Sequence, residues 1–326
     1  MDLTNKVILV TGGTGSFGKA FARVVLETSK VKKVIIFSRD EMKQYEMKKE
    51  FSHFDGRLRY FIGDVRDQNR LHRAFHGVDI VVHAAALKIV PSLEYNPFEA
   101  VQTNVIGAEN VINVAIDNDV KQVIALSTDK AANPVNLYGA TKLCAEKMFV
   151  AGNNYSPKGA TFSVVRYGNV FDSRGSVVPF FKECRKKGVV PITDKRMTRF
   201  WITLEQGVKF VLQALRDMEG GEIFVPKLPS IRIADLAEAV CPGAKHQNVG
   251  IRPGEKLHET LVSADEGVST YELPDRFITY PAIVAVKAKM EHGKPLGLDF
   301  VGYRSDLNTK WLTVENLRRM VEEESH

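Results

Sequence analysis

Residues 7–18 read VILVTGGTGSFG, an apolar run that leads through a glycine-rich turn into a helical pattern. Glycines at this spacing permit a tight turn, a close approach of the backbone to a pyrophosphate, and close packing of helix on strand. The amino terminus of the helix would then face the phosphate charge. This order of strand, turn and helix predicts a dinucleotide cofactor. We expect cofactor contacts at Gly12, Thr14, Gly15, Ser16, Phe17 and Gly18.

The first half of the chain alternates short β-branched runs with helical patterns. Between the first two runs, Phe17, Phe21 and Val24 recur at helical spacing. Strands joined by crossover helices predict an α/β fold with a Rossmann-type doubly wound parallel sheet. The predicted strands are Val7–Val10, Val34–Phe37, Arg59–Ile62, Ile80–His83, Gln122–Ser127 and Thr161–Arg166.

Beyond Arg166 the pattern becomes less regular, and prolines and glycines interrupt it. We therefore predict a smaller, irregular carboxyl-terminal lobe that binds the substrate. The predicted Rossmann domain comprises residues 1–166, rejoined by about residues 200–226. The predicted substrate-binding lobe comprises residues 167–199 and 227–326.

Composition and charge exclude several classes of protein. The 326 residues include 45 Lys and Arg against 39 Asp and Glu, a net charge of +6, and the basic residues are spread along the chain. This spread favours an anionic small-molecule substrate over nucleic acid. The apolar runs are too short for a membrane helix of roughly 18 residues or for a signal peptide. Three cysteines without a CxxC pair predict a cytoplasmic protein that has neither a disulfide framework nor a zinc ribbon. No second histidine or carboxylate lies at ligand spacing from His83, which predicts that no metal is bound.

The end of the second predicted strand bears on the choice between NAD and NADP. It reads Ser38, Arg39, Asp40, and Lys43 follows one helical turn later. A carboxylate here would accept a hydrogen bond from the ribose 2′-hydroxyl of NAD, whereas arginine suits the 2′-phosphate of NADP. The order of these residues predicts NADP. The alternative is that Arg39 and Asp40 merely cap the next helix.

Two further strand ends offer cofactor contacts. Asp64 and Val65 follow the third strand, where the carboxylate could hold the adenine amino group or could instead be the N-cap of the next helix. Ala84 and Ala86 follow the fourth strand and would let the backbone approach the cofactor. His83 precedes them on an apolar strand, and we assign it to the core rather than to a metal.

Tyr138 and Lys142 indicate redox chemistry after the fifth strand. Their spacing places them on one face of a helix, about one turn apart. An ammonium beside a phenol lowers the phenol pKa, so Tyr138 could remove a hydroxyl proton while a hydride leaves the same carbon. The preceding strand ends in Ser127 and Thr128, which supply hydroxyl groups at the same place.

The pairing of TGGTGSFG with YxxxK resembles the extended short-chain dehydrogenase/reductase superfamily. More narrowly, residues 3–262 are similar to the inverting UDP-N-acetylglucosamine 4,6-dehydratases of pseudaminic acid biosynthesis. The stretches that carry this resemblance are FSRDE, FIGDVRD, HAAALK, LSTDKAANPVNLYGATK, RYGNV, SRGSVVPFF, MTRFW and GIRPGEK. The resemblance implies an NADP-dependent lyase that acts on a UDP-sugar and forms a homo-oligomer.

The resemblance also implies roles for the residues after the fifth strand. Oxidation at C4 of the hexose acidifies the C5 proton, water is then eliminated across C5 and C6, and the hydride returns to C6. Asp129 would be the acid at the C6 hydroxyl, Lys130 the C5 base, and Thr128 a hydrogen-bond partner of the C4 oxygen. As a base, Lys130 must be neutral, which requires a pKa lowered by burial or by nearby Lys142.

Other functions use the same scaffold. Retaining 4,6-dehydratases differ in the configuration produced at C5, and UDP-sugar 4-epimerases eliminate no water. A non-catalytic dinucleotide sensor is the alternative of a different class, because a fold alone does not establish a function.

The resemblance places further contacts to the UDP-sugar and the cofactor. Arginine side chains and backbone donors in turns suit a diphosphate, and a carboxylate suits a ribose or uracil. The implied substrate contacts are Lys88, Asn169, Arg174, Gly175, Ser176, Val177, Val178, Pro179, Arg199, Arg252 and Glu255. Additional implied cofactor contacts are Lys88, Asn104, Tyr138, Lys142 and Val170. Asn104 would support the Tyr–Lys pair through water or would have a structural role where a helix begins.

Overall fold

Strands and helices alternate along the first half of the chain, as predicted. The computed structural model describes residues 2–54, 56–156, 159–171, 177–280 and 295–323. The strands are β1 Val7–Thr11, β2 Lys33–Ser38, β3 Leu58–Ile62, β4 Ile80–His83, β5 Gln122–Thr128, β6 Thr161–Tyr167, β7 Asn169–Val170, β8 Val189–Ile192, β9 Thr198–Ile202, β10 Ile223–Pro226, β11 Ser230–Arg232, β12 Lys245–Asn248, β13 Thr260–Val262, β14 Thr270–Glu272, β15 Arg276–Thr279 and β16 Tyr303–Arg304. The α-helices are α1 Ser16–Thr28, α2 Glu41–Glu50, α3 Gln68–Phe75, α4 Val90–Tyr95, α5 Pro97–Val101, α6 Gly107–Asp117, α7 Leu137–Gly152, α8 Val177–Cys184, α9 Leu204–Asp217, α10 Ile233–Val240 and α11 Val314–Glu323.

The largest sheet of the described residues has nine strands, in the order β14-β15-β10-β6-β5-β4-β1-β2-β3. Its strands from β3 to β10 pair in parallel, and the order 3-2-1-4-5-6 is that of a Rossmann-type doubly wound sheet. The predicted fold class is therefore confirmed. Strands β15 and β14 extend the edge in antiparallel pairing.

The register of the sheet brings the ends of its strands together. Thr11 at the end of β1 pairs with Phe37 of β2 on one side and with His83 of β4 on the other. Strand β5 runs on to Thr128, which pairs with Tyr167 of β6. The order of strands reverses between β1 and β4, and ligands of such sheets bind beyond the carboxyl ends at that position.

A continuous apolar core holds these strand ends in place. Ile8, Leu9 and Val10 of β1 are fully buried, as expected for a parallel strand that is covered on both faces. Helix α1 buries one apolar face that includes Phe21 and Val25. It packs against α9, while α6 packs against α3 and α7.

A second core lies in the carboxyl-terminal half. It includes Trp201, Phe181 and Leu236, which come from β9, α8 and α10. One predicted boundary is wrong, because β14 and β15 (270–279) join the main sheet through the pairing of β15 with β10 rather than belonging to the smaller lobe. The rest of the division into cofactor and substrate lobes stays a prediction.

Within the described ranges, no helix combines the length and the apolar character needed to cross a membrane. Cys144 is exposed, Cys184 and Cys241 are buried, and none of the three forms a disulfide. The cytoplasmic location and the lack of a metal stay predictions.

Candidate active site

The turn between β1 and α1 packs against the loop that follows β4. Gly12 has a left-handed φ of +65°, and a Cβ atom at this position would lie 2.9 Å from the Cα of Ala85. A Cβ atom on Gly18 would lie 2.5 Å from the Cα of Gly13, so the start of α1 leaves no room for a side chain. Gly13 lies inside the same motif but was not predicted to belong to the site. Its contribution is to packing, since α1 approaches it at Gly18 and a Cβ atom on Gly13 would lie 2.8 Å from the side chain of Ile36.

Helix α1 presents an uncapped amino terminus at this turn. Among the described residues, no side chain caps it at Gly15, and its first turn contains no acidic residue. The backbone N–H groups at Ser16 and Phe17 are therefore suited to phosphate oxygens. The hydroxyl of Thr14 lies 2.7 Å from that of Ser38 and links the turn to the end of β2. A cavity of about 270 Å³ adjoins the helix and is lined by Thr14, Ser16, Lys19, Ala20, Arg23 and Leu204.

The residues after β2 differ in how they are engaged. Asp40 is the N-cap of α2, because its carboxylate accepts a hydrogen bond of 3.0 Å from the backbone N–H of Lys43. The Lys43 ammonium lies 2.6 Å from the same carboxylate, and these bonds to Lys43 lower the pKa of Asp40. The capping alternative is thus confirmed for Asp40. Arg39 is not part of the cap; its half-exposed guanidinium lies 3.5 Å from Asp64.

Asp64 does not cap the helix after β3, because the N-cap of α3 is Asp67, and that alternative is wrong. The Asp64 carboxylate accepts hydrogen bonds of 2.8 and 3.0 Å from the guanidinium of Arg66. Burial acts to raise the pKa of Asp64, but the bonds to Arg66 outweigh burial and lower it. Val65 is buried, and its carbonyl accepts a hydrogen bond of 3.0 Å from Asn110 of α6.

His83 is a core residue, as predicted. Its Nδ1 lies 2.9 Å from the hydroxyl of Thr11. Burial, and to a smaller extent the charge of Lys142, lowers the pKa of His83 to about 3, so the ring is neutral. Ala84 and Ala86 are partly exposed on the loop that faces the glycine turn.

Asn104 fixes this loop to α7. It lies in a π-helical turn at Gln102–Ile106, and such turns are frequent at functional sites. Its amide bonds both backbone polar groups of Leu87, at 2.8 and 2.9 Å, and donates to the hydroxyl of Thr141 at 3.0 Å. These direct bonds favour the structural role over the water-mediated one.

Lys130 lies between two buried carboxylates. Its Nζ is 3.0 Å from Oδ1 of Asp129 and 3.4 Å from Oε1 of Glu259. Thr128 donates a hydrogen bond of 2.9 Å to the same Oδ1. The second oxygens, Asp129 Oδ2 and Glu259 Oε2, are buried and have no hydrogen-bond partner among the described residues. Sequence reasoning missed Glu259, because only the fold brings the residue before β13 to the end of β5.

The charges in this cluster oppose the effects of burial. Burial raises the pKa of Asp129, and the charge of Lys130 only partly offsets this effect. Burial acts to lower the pKa of Lys130, but Asp129 and Glu259 outweigh burial and raise it. The prediction that burial or Lys142 lowers the pKa of Lys130 is therefore wrong for the resting site. Lys130 and Arg199 likewise outweigh burial at Glu259 and lower its pKa.

Tyr138 and Lys142 lie one turn apart on α7, as predicted. Burial raises the pKa of Tyr138, and the ammonium of Lys130 partly offsets the rise. Lys142 donates a hydrogen bond of 2.6 Å to the carbonyl of Leu126, and burial lowers its pKa to about 8. The cation that acts on the phenol in this structure is Lys130, whereas Lys142 was predicted.

Two predicted substrate residues, Arg199 and Lys88, lie close to this cluster, and Asn169 lies in β7, which pairs with β9. Asn169 in β7 has a buried side-chain oxygen without a hydrogen-bond partner in the described part of the chain, and Val170 follows it in the same strand. Arg199 is buried in β9 with its Nε 3.6 Å from Glu259. Burial and, to a smaller extent, the charge of Lys130 lower the pKa of Lys88. Lys88 therefore lies close enough to Lys130 for the two charges to repel each other.

The remaining predicted substrate residues lie in a turn and in α8. The backbone N–H of Arg252 donates to Glu255 at 3.3 Å, and this turn reaches α7 through a bond of 2.8 Å from Asn136 to the carbonyl of Gly254. Val178 was predicted to contact the substrate. That prediction is wrong for its side chain, which is fully buried in the second core. Its neighbours Val177 and Pro179 are partly exposed, and Arg174, Gly175 and Ser176 lie outside the described residues.

Three comparisons with known proteins agree with this arrangement. A family model described as polysaccharide biosynthesis protein matches residues 8–281. The chain is 52% identical to an inverting UDP-N-acetylglucosamine 4,6-dehydratase of Campylobacter jejuni over 97% of both chains, and 44% identical to a UDP-glucose 4-epimerase of Rickettsia conorii over 84% of this chain and 82% of that one. The crystal structure of Pen from Bacillus thuringiensis superposes with a TM-score of 0.90 at 38% identity and covers 100% of this chain and 99% of its own.

Proposed function

The chain belongs to the polysaccharide biosynthesis protein family and, within the extended short-chain dehydrogenases/reductases, to the inverting UDP-N-acetylglucosamine 4,6-dehydratases, and we propose that it catalyses this dehydration. The product would be a UDP-2-acetamido-2,6-dideoxy-hexos-4-ulose with inverted C5. The observation that carries the proposal is the contact between the buried carboxylate of Asp129 and the Lys130 amino group, next to Tyr138. Elimination of water needs an acid and a base in addition to the redox tyrosine, and this pair can supply both.

The residues present fit a dinucleotide. The glycine turn brings the backbone close to the loop after β4, and the uncapped end of α1 offers N–H donors to a pyrophosphate. A dinucleotide held by this turn and by the end of α1 would supply the acceptor for the hydride of C4 and the source of its return to C6. Tyr138 would remove the proton of the C4 hydroxyl, and Thr128 would bond the C4 oxygen.

Proton transfer within the Asp129–Lys130 pair resolves the difficulty that a charged lysine cannot be a base. Burial favours neutral Asp129, so a proton that moves from Nζ to Oδ1 across 3.0 Å produces a neutral acid beside a neutral amine. Lys130 then takes the C5 proton while Asp129 protonates the C6 hydroxyl, which leaves as water. These two transfers return the pair to its charged resting state. When the hydride returns to C6, C5 takes a proton that has exchanged with solvent, and the face on which it is added decides between inversion and retention.

NADP is the cofactor that we propose. Asp40 is held in the cap of α2, which leaves it poorly placed to accept a hydrogen bond from a ribose hydroxyl. Arg39 and Lys43 lie at the same strand end with exposed side chains and would attract a 2′-phosphate. Homo-oligomer formation and a role in pseudaminic acid biosynthesis stay predictions.

The test is the product formed from UDP-N-acetylglucosamine by the purified protein. We expect mass spectrometry to show a nucleotide sugar that has lost one water. The second candidate is a 4-epimerase, which the 44% identical relatives named UDP-glucose 4-epimerase favour. A product of unchanged mass with an inverted C4 hydroxyl would establish that function and remove ours.

A further inference from the structure

Glu259 has the features of a residue that serves Lys130 rather than the fold. Its side chain is only 2% exposed, and its Oε1 lies 3.4 Å from Nζ of Lys130. The backbone of Glu259 is held independently, because its N–H donates to the hydroxyl of Ser305 at 2.9 Å. The carboxylate itself contacts side-chain cations, Lys130 and Arg199, and its Oε2 has no hydrogen-bond partner in the described ranges.

A second carboxylate on Lys130 is useful at one step of the proposed reaction. Once Asp129 has taken the proton from Nζ, it is neutral and is committed to the leaving hydroxyl, so its charge no longer holds the amine in place. A carboxylate that keeps its charge would still accept a hydrogen bond from Nζ and keep the amine aimed at C5. Lys130 and Arg199 favour the charged form of Glu259, so it meets this condition.

We propose that Glu259 is a positioning residue, which holds the Lys130 amino group toward the sugar while Asp129 delivers its proton to the leaving hydroxyl. This inference rests on the proposed dehydratase function and adds a residue that the resemblance does not assign. It requires the carboxylate charge as well as the volume of the side chain.

Other charged groups face the pair and must be considered with it. The groups whose charges act on Lys130, on Glu259 or on both are Asp129, Arg199, Lys256, Lys88 and Tyr138. Lys256 donates a hydrogen bond of 2.7 Å to the carbonyl of Ala132 and so is fixed beside the cluster. Because these groups are unchanged in a Glu259 variant, a displaced pH profile reports the loss of the Glu259 charge.

The experiment compares Glu259→Gln with the wild type in the full-length protein. We measure kcat and KM for UDP-N-acetylglucosamine as a function of pH, together with deuterium incorporation at C5 in D₂O. We expect KM to change little and kcat to fall by about 10- to 100-fold, since general base catalysis depends on geometry. The acid limb of kcat should move to lower pH by about 1 unit or more, because the charge of Glu259 helps to raise the pKa of Asp129, and the proton-sharing pair is lost when Asp129 takes a second proton.

Glu222→Gln is the matched control. Glu222 is equally buried, but its carboxylate accepts from the hydroxyl of Ser163 and the backbone N–H of Gly220, far from Lys130 along the sheet. This variant should lose stability without moving the pH profile.

A wild-type kcat and pH profile in Glu259→Gln would overturn the inference while the dehydratase function stands. Absence of a dehydrated product from the wild type would instead overturn the function itself.

Glu259→Asp tests the inference even if Glu259→Gln does not fold. Asp keeps the negative charge, but its side chain is one methylene shorter, so the carboxylate lies farther from Nζ of Lys130 than the 3.4 Å of Glu259. We expect an acid limb close to that of the wild type and a kcat lowered by roughly 10-fold. A full wild-type kcat in Glu259→Asp would contradict a positioning role.

Discussion

Asp129→Asn separates the redox step from the elimination step. The variant keeps the size of a side chain that is only 1% exposed, and it replaces the carboxylate that takes a proton from Lys130 across 3.0 Å with an amide that is not basic. The amide cannot protonate the C6 hydroxyl and cannot neutralise Lys130 by proton transfer. Tyr138, the glycine turn and the end of α1 are unchanged, so oxidation at C4 should persist.

The expected loss follows from the role of a general acid. General acid–base groups contribute about 10²- to 10⁴-fold, which corresponds to about 3 to 5 kcal/mol of transition-state stabilisation. We therefore expect kcat for the dehydrated product to fall within this range. An absorbance change of the bound nicotinamide on addition of substrate should remain.

The control for this variant is Asp40→Asn, which alters an exposed helix cap at the other end of the site. It should retain the wild-type kcat at saturating cofactor. Two results would refute the reasoning: an Asp129→Asn variant within about threefold of the wild-type kcat, or one that loses the absorbance change together with the dehydration.

Three further variants test other parts of the site. Arg39→Asp should weaken NADP binding by at least about 10-fold relative to NAD in a titration of each cofactor, because a half-exposed cation is replaced by a carboxylate; an unchanged preference would contradict the assignment of NADP. Gly18→Ala should destabilise the protein by about 1 to 3 kcal/mol in urea unfolding, since its Cβ would overlap the backbone of Gly13; a neutral effect would show that α1 can shift. His83 is neutral in the fold with a pKa of about 3, so protonation favours the unfolded chain below its ordinary pKa of 6.5, and stability should fall by about 1 kcal/mol between pH 6.5 and 5.5 from this residue alone. His83→Asn should reduce that pH dependence, and an identical slope in the variant would assign it to other groups.

The sheet and the cofactor turn could be predicted because their signals are local. An apolar run followed by spaced glycines defines β1, the turn and the start of α1, and alternating runs define the order of the parallel strands. The pair Tyr138 and Lys142 was found by its helical spacing together with its place after the fifth strand and downstream of the glycine turn. The sequence did not predict that Tyr138 and Lys142 lie in separate electrostatic environments. Lys142 donates a hydrogen bond to the carbonyl of Leu126, whereas the charge of Lys130 acts on the phenol of Tyr138.

The parts that could not be predicted depend on contacts between distant segments. Glu259 reaches Lys130 only after β13 and β16 pair and set the preceding residue beside the end of β5. Asp129 and, to a smaller extent, that carboxylate raise the pKa of Lys130 where a fall was predicted. Val178 was predicted to contact substrate from its place in a motif, but α8 turns it into the second core.

Proton NMR of the wild-type protein with UDP-N-acetylglucosamine in D₂O detects elimination and inversion in one spectrum. We expect a new C6 methyl signal, deuterium at C5, and ring couplings of the C5-inverted sugar. A methyl signal with the original C5 configuration would contradict inversion. A product without a methyl signal would contradict the elimination, and with it the roles of Asp129 and Lys130.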